Sequence, residues 1–266
     1  MPKISSEKTE GIQSVVLALS ILEALGKARN HLGVTALADS LGTTKSRIHR
    51  HLQTLVQQGY IVQSPTTERY RLGSRLIELG NAAAYASDIA SVAAQPMRVL
   101  RDASEQAVIL GQIEEDGIRI LTTLGGKMPV EVGVRAGSVL GFTTSAQGKM
   151  ALTFMPEQIK NRILSKPLVG ETSYSITDMA VLTKHLEDIR ARGWADAPNE
   201  AAIGLNALSF PILGASGELV GSLAIVSLTQ FIGSPPSPEQ VRAVGTAAQE
   251  ISNALGYVGD LPGEWR

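Results

Sequence analysis

The stretch LADSLGTTKSRIHRHLQTLVQQGYI, residues 37–61, decides how the first third of the chain folds. Val34 to Gly42 reads as a short helix with Leu37, Ala38 and Leu41 on one side, and Gly42 supplies a tight turn. Thr43 or Thr44 can then cap a longer helix whose apolar residues are Ile48, Leu52, Leu55 and Val56. Short helix, glycine turn and longer helix are the parts of a helix-turn-helix. At about 100° per residue the apolar stripe of the longer helix is centred between Ile48 and Leu52, so Ser46, Arg50 and Gln53 point away from it. Arg47, His49 and Thr54 flank that outer face.

Outward Arg and Gln are usually just a solvated face. Here they sit on the second helix of the motif, where Arg can bond guanine bidentately and Gln can bond adenine. Ser and Thr can serve base or phosphate, and Thr44 and Lys45 stand at the helix start within reach of the same backbone.

Upstream, Ile12, Val15, Val16, Leu19, Leu22 and Leu25 recur at spacings of three and four, an amphipathic helix that Gly26 is expected to close. Downstream, Tyr60–Gln63 and Arg69–Leu72 flank Ser64-Pro65-Thr66-Thr67-Glu68, which reads as a hairpin, the wing. Arg69 and Arg71 share alternation parity, so both are expected on one face of it, able to reach phosphates.

The formal charge of −1 conceals an asymmetry. Residues 1–75 hold ten Lys/Arg against five Asp/Glu, a net +5, and the remainder holds 14 against 20, a net −6. Three of the four histidines, His31, His49 and His51, also lie in the first segment. A basic head on an acidic body points to a polyanion contact at one end only. With no cysteine, disulfides, thiol nucleophiles and thiolate metal sites are excluded. The longest apolar stretch, Val15 to Leu25, is broken by Ser20 and Glu23 and is too short for a bilayer, so no membrane partner is expected. Met1 to Gly11 lacks the pattern of a signal segment, and the expected location is the cytoplasm.

The order of amphipathic helix, residues 37–61 and ERYRLGSRLIELG at 68–80 resembles the IclR-type transcriptional regulators, and the resemblance covers nearly the whole chain. It implies an α+β protein in three parts. These are a winged helix-turn-helix over 1–75, a linker helix over 76–93 and an effector-binding domain similar to GAF and PAS folds over 94–266. The body carries matching signals. Gly73 to about Ala93 reads as the linker helix, with Leu76, Ile77, Leu79 and Ala83 available for packing. Pro96 is expected near the start of a second helix ending about Ser104. Strands are expected at Ala107–Ile113, Ile118–Thr123, Val130–Val134, Ala207–Leu213 and Leu219–Leu228. Helices are expected at Thr143–Phe154, Pro156–Leu164, Asp178–Arg192 and along Val241, Val244, Ala248, Ile251 and Leu255.

The family's C-terminal pattern fits at Gly193, Glu200, Ala207, Leu208, Ser209 and Ile212, and departs at Ala197, Leu213 and Gly214. Likeness to the family also marks Thr143–Lys149, a small-residue segment entering a helix, and places Ala146 and Gln147 where backbone amides receive a carboxylate. The resemblance sets Val132, Leu140, Phe142, Ala197, Leu205, Ala207, Ala224 and Val226 around it. Several of these are apolar where relatives carry polar residues, which favours an aromatic or otherwise apolar carboxylate as effector.

Catalytic signals are weak. GFTTSAQGKM at 141–150 has the wrong glycine spacing and no Ser/Thr for a phosphate loop, and no nucleophile elbow occurs. His185, the sole histidine beyond residue 51, falls on a polar helix face. The sequence therefore points to a ligand-responsive regulator of a catabolic operon with no cofactor, metal or catalytic residue. The competing reading is an enzyme acting on a small organic acid with an appended winged helix. The resemblance implies a homodimer or tetramer on a pseudo-palindromic double-stranded DNA operator.

Overall fold

The structure is a computed structural model that describes residues 12–28, 31–79, 89–127 and 132–265. The chain divides into two compact units, Met1–Ala86 and Ser87–Arg266.

In the first unit α1 (Gln13–Lys27), α2 (Val34–Ser40) and α3 (Lys45–Gln57) pack around Ile21, Leu25, Leu37, Ile48 and Leu52. Thr44 is the cap of α3, its Oγ1 accepting from the Arg47 amide at 3.4 Å. Gly42 makes the α2–α3 turn at φ +60°, a left-handed conformation that glycine adopts without strain. Strands β1 (Ile61–Gln63) and β2 (Tyr70–Leu72) pair antiparallel with Val62 opposite Arg71, forming the wing.

Two expectations fail in this unit. The helix α1 runs past Gly26 to Lys27. Its buried face is Ile21 and Leu25, whereas Ile12, Val15, Val16 and Leu19 are exposed, with Leu19 54% accessible. The helix carries two apolar stripes, and periodicity alone does not say which one the unit buries. Val56 likewise lies at the edge of α3's buried face, 36% exposed.

The second unit is an antiparallel sheet between two helical layers. Its strands are β3 (Ala107–Ile113), β4 (Ile118–Leu124), β5 (Val139–Leu140), β6 (Ala195–Asp196), β7 (Leu205–Leu213) and β8 (Leu219–Leu228). They are ordered β5-β4-β3-β8-β7-β6. Alternation sends Leu208, Phe210, Leu223 and Ile225 to one face, where α4 (Ile89–Ser104) and α8 (Pro238–Ala254) cover them. Ile109, Ile118, Ala224 and Val226 point to the opposite face, toward α5 (Ala146–Phe154) and α7 (Met179–Arg192). Helix α6 (Glu157–Leu164) follows α5 and buries no residue fully.

Pro96 is interior to α4 rather than near its start, because the helix already runs at Ile89. The missing proline N–H costs one ladder bond, and the burial of Ala93, Met97 and Leu100 outweighs it. Residues 132–135 form no strand, and β5 supplies the outer pairing through Ile118 opposite Leu140 instead. The middle of the expected linker helix, including Ala83, lies outside the described residues, while residues 75–79 are helical.

Gly193 ends α7 at φ +82°, and the C-terminal tail lies so close that a Cβ there would stand 1.9 Å from the Pro262 carbonyl oxygen. The same tail seats Trp265 edge-on against Phe210, ring centroids 5.5 Å apart. Gly193→Ala should therefore destabilise the second unit by at least about 2 kcal/mol, the sum of left-handed strain and tail displacement. Urea unfolding followed by tryptophan fluorescence measures this, and a loss below about 0.5 kcal/mol would contradict the packing described.

Candidate functional site: a basic helix face and a small-walled cavity

Helix α3 turns Ile48, Leu52 and Leu55 inward, which leaves Lys45, Ser46, His49, Arg50 and Gln53 exposed and Arg47 half-buried. Among the described residues no hydrogen bond or ion pair engages the side chains of Ser46, Arg47, Arg50 or Gln53. Thr54 differs, its Oγ1 donating back to the Arg50 carbonyl at 3.1 Å. On the wing, Arg69 and Arg71 are both exposed, and Arg71 donates only to the Leu72 carbonyl at 3.4 Å. No acidic partner neutralises this face among the described residues.

In the second unit a cavity of about 70 Å³ lies between the sheet and the start of α5. It exists because small residues face each other: Ala207 pairs with Val226 on β7 and β8, and Ala197, Ala201 and Ala202 form the adjoining wall. The structure brings Leu140, Ala146, Gln147, Ala197, Leu205, Ala207 and Val226 together there. Val132, Phe142 and Ala224 are not on its lining. Phe142 packs into the core, and Ala224 is fully covered between Ile109 and Ser209. Val132, outside any strand, packs against that core while Val134 meets the cavity.

Ser145, from the expected 143–149 segment, and Ile109, Val134, Ala201, Ala202 and Asn206, which the sequence reading did not include, complete the lining. Strand parity with Ala107 could have found Ile109. Nothing periodic announces Ala201 or Ala202, which sit in a loop. Asn206 is spent on backbone: its Oδ1 accepts from the Ala197 and Ala207 amides, and its Nδ2 donates to the Ile232 and Gly233 carbonyls.

The cavity has no charged side chain on its lining, and one end is the N-terminus of α5. Ser145 caps that helix, its Oγ accepting from the Gly148 amide at 3.0 Å. The amides of Ala146 and Gln147 have no acceptor among the described residues. Free N–H groups at a helix start hold an anion through hydrogen bonds and the helix dipole. Gln147 fixes this end against the sheet, donating from Nε2 to the Ser222 carbonyl and Oγ, each at 3.1 Å. Gly111 makes room, since a Cβ there would stand 2.8 Å from that nitrogen.

Behind the first turn of α5, Lys149 is fully buried and ion-paired with Glu200. Burial pushes the Lys149 ammonium below, and the Glu200 carboxyl above, its ordinary range, each opposed by the partner's charge. His185 is turned inward, contrary to its expected polar face, and its buried Nε2 has no partner among the described residues. Desolvation first, and then the Lys149 charge, lowers its pKa to about 4. No group of His, Asp and Glu among the described residues is placed to hold a metal ion, and no described helix is long and apolar enough to cross a membrane.

A helix-turn-helix with a wing and an unneutralised basic face, on one chain with an α+β unit that holds a small-walled cavity, defines a DNA-binding protein of the regulator class. Comparison with known proteins makes this specific. The IclR helix-turn-helix domain matches residues 14–65, and the bacterial transcriptional regulator IclR C-terminal domain matches residues 81–253. The chain belongs to the IclR family of DNA-binding transcriptional regulators. It is 27% identical over 252 residues to the HTH-type transcriptional regulator KdgR of Escherichia coli K12, covering 94% of this chain and 95% of KdgR. The crystal structure of Pseudomonas aeruginosa HmgR superposes with a TM-score of 0.81 at 28% identity, covering 93% of this chain and 100% of HmgR. An IclR homolog from Microbacterium hydrocarbonoxydans, solved with 4-hydroxybenzoate, shares the fold at 22% identity and a TM-score of 0.57, covering 91% of this chain and 98% of that one.

His185 also has a solution signature. Its folded pKa lies below the ordinary 6.5, so the unfolded chain binds more protons between about pH 6.5 and 4. The stability it contributes is complete above pH 6.5 and is lost as pH falls through that window. Melting temperature should therefore decline less steeply from pH 6.5 to 4.5 in His185→Gln than in the wild type; identical slopes would show that His185 stays solvated.

Proposed function

We propose that the protein is a repressor of a catabolic operon that binds a pseudo-palindromic operator and leaves it when an aromatic carboxylate occupies the cavity. The observation that carries this reading is a cavity with apolar walls and no charged lining residue, whose polar end offers two free helix amides. A carboxylate suits those amides, because charge-assisted hydrogen bonds are strong where water is excluded. The ring would lie against Leu140, Leu205 and Val226. The homolog holding 4-hydroxybenzoate supports an aromatic acid on this fold. The protein itself turns nothing over in this reading, needs no cofactor and acts in the cytoplasm where its DNA is.

The cavity of about 70 Å³ is smaller than the roughly 150 Å³ of an apolar cavity that takes benzene. A ring therefore enters by displacing a wall, and that displacement is the signal. The exposed stripe Ile12, Val15, Val16 and Leu19 on α1 supports a homodimer, since four large apolar residues in one row gain by covering. Pairing of such dimers gives the tetramer.

On DNA, Ser46, Arg50 and Gln53 read bases, with Thr44, Lys45, Arg47, His49, Arg69 and Arg71 serving phosphates and flanks. Arg50→Ala should cost about 1–3 kcal/mol on the operator and relax preference at one base pair. Arg71→Ala should weaken all sequences alike and reduce the salt slope by about one. Fluorescence anisotropy on operator and scrambled duplexes checks both, and equal sequence-independent losses would refute base reading by α3.

On ligands, calorimetric titration should show benzoate binding more tightly than glyoxylate or pyruvate. Ala207→Leu fills the ring's place and should weaken benzoate by about tenfold or more while leaving operator affinity unchanged. Tighter binding of the two- and three-carbon acids would overturn the aromatic assignment.

A further inference from the structure

The cavity wall at 197–205 is a loop, closed on itself by the Asn199 amide on the Leu205 carbonyl (2.7 Å) and the Gly204 amide on Asn199 Oδ1 (2.7 Å). It is held from two directions. From within, Glu200 is ion-paired to buried Lys149 on α5. From outside, the segment 170–176 grips it: Thr172 Oγ1 donates to the Asn199 carbonyl at 2.7 Å, and Ser175 Oγ donates to the Glu200 carbonyl at 2.8 Å. The Ile176 amide adds a bond to Glu200 Oε2 at 3.4 Å. The other end of this segment is tied to the far side of the cavity, because Thr144 Oγ1 donates to Glu171 Oε1 at 2.7 Å. Thr144 immediately precedes Ser145, the cap of the helix whose amides face the cavity. One short segment thus bridges the loop wall and the anion-binding end.

The two sets of bonds differ in what breaking them costs. Separating Lys149 from Glu200 strands a charge in a dry interior, which is strongly unfavourable. Releasing a hydroxyl from a partly exposed carbonyl exchanges one hydrogen bond for another with water, at small net cost. Loop movement therefore pivots on Glu200 and gives way at Thr172, Ser175 and Glu171.

We propose that residues 170–176 are a latch on the cavity, and that releasing their bonds to Asn199, Glu200 and Thr144 is the step that sets how fast an effector enters and leaves. The proposal takes the ligand class from the effector reading above, and loop motions over a site often set the rate at which it opens and releases what it holds.

The test uses the full chain as wild type, Thr172→Val and Thr144→Val; Thr144→Val removes the bond to Glu171, and Thr172→Val removes the bond to Asn199 together with the acceptor of the Tyr174 amide, each with little change of shape. In ligand-free protein, hydrogen exchange at the amides of 199–205 should accelerate about fivefold in both variants, with β7 and β8 unaffected. In stopped flow with benzoate, association and dissociation should both accelerate about fivefold, leaving Kd within a factor of two. Unchanged exchange at 199–205 in both variants overturns the latch. Faster dissociation with unchanged association also overturns it, because the segment would then be holding ligand rather than gating it. So does acceleration by Thr123→Val alone, which frees the opposite wall by removing the 2.5 Å bond from Thr123 Oγ1 to the Val134 carbonyl. If benzoate binds neither wild type nor variants, the effector reading fails, and the exchange result by itself decides whether 170–176 hold the loop.

Discussion

The second unit is organised around a charge pair that water does not reach. Lys149 has no exposed surface and Glu200 almost none, so neither can be given up singly without leaving a bare charge in the core. The pair joins two pieces of the cavity that lie outside the sheet: the helix α5, which brings the free amides, and the loop 197–205, which brings the alanine wall. Asp196 extends the same polar layer, accepting from Arg192 Nη2 at 2.7 Å and from Ser234 Oγ at 2.6 Å. A cavity with apolar walls thus adjoins a polar layer whose centre, Lys149, Glu200 and Asp196, is buried and whose edge, Arg192 and Ser234, reaches the surface.

That scaffold also leaves the pocket without a charged side chain on its lining. The lysine closest in sequence to the helix start is already committed to Glu200, so it offers the cavity no ammonium. On the proposed reading, recognition falls to the backbone N–H groups at the start of α5, a helix that Ser145 caps and Gln147 ties to Ser222 across Gly111. Small residues do the remaining work: Ala207, Ala197, Ala201 and Ala202 are where the space comes from, and larger side chains there would convert the cavity into core.

Much of this was legible in the chain. Gly42, Thr44 and the 3-4 spacing of Ile48, Leu52 and Leu55 specify the helix-turn-helix locally, because turn, cap and apolar face depend on near neighbours only. Likewise β3, β7 and β8 were readable as short apolar, β-rich runs bounded by turn residues, and Gly193 as the stop of α7. Failures share a cause. On α1 two apolar stripes compete, and only the shape of α2 and α3 selects Ile21 and Leu25 over Leu19. At Pro96 a local breaker lost to tertiary burial. Two-residue strands such as β5 and β6 exist only because a neighbouring strand is there to bond.

The sequence by itself determined the reading helix, the wing, the charge division between the two parts, and the small-residue entry to α5, since each is written in contiguous residues. Only the tertiary structure decided which candidates share one cavity. It set Phe142 and Ala224 aside, brought in Ala201, Ala202 and Ile109, and showed His185 turned inward beside Lys149. It alone joined Thr144, Glu171, Thr172 and Asn199, residues 27 apart in each bonded pair. The physical reason is that a cavity is bounded by surfaces from distant segments, whose meeting depends on sheet register and loop closure, quantities that no local pattern encodes.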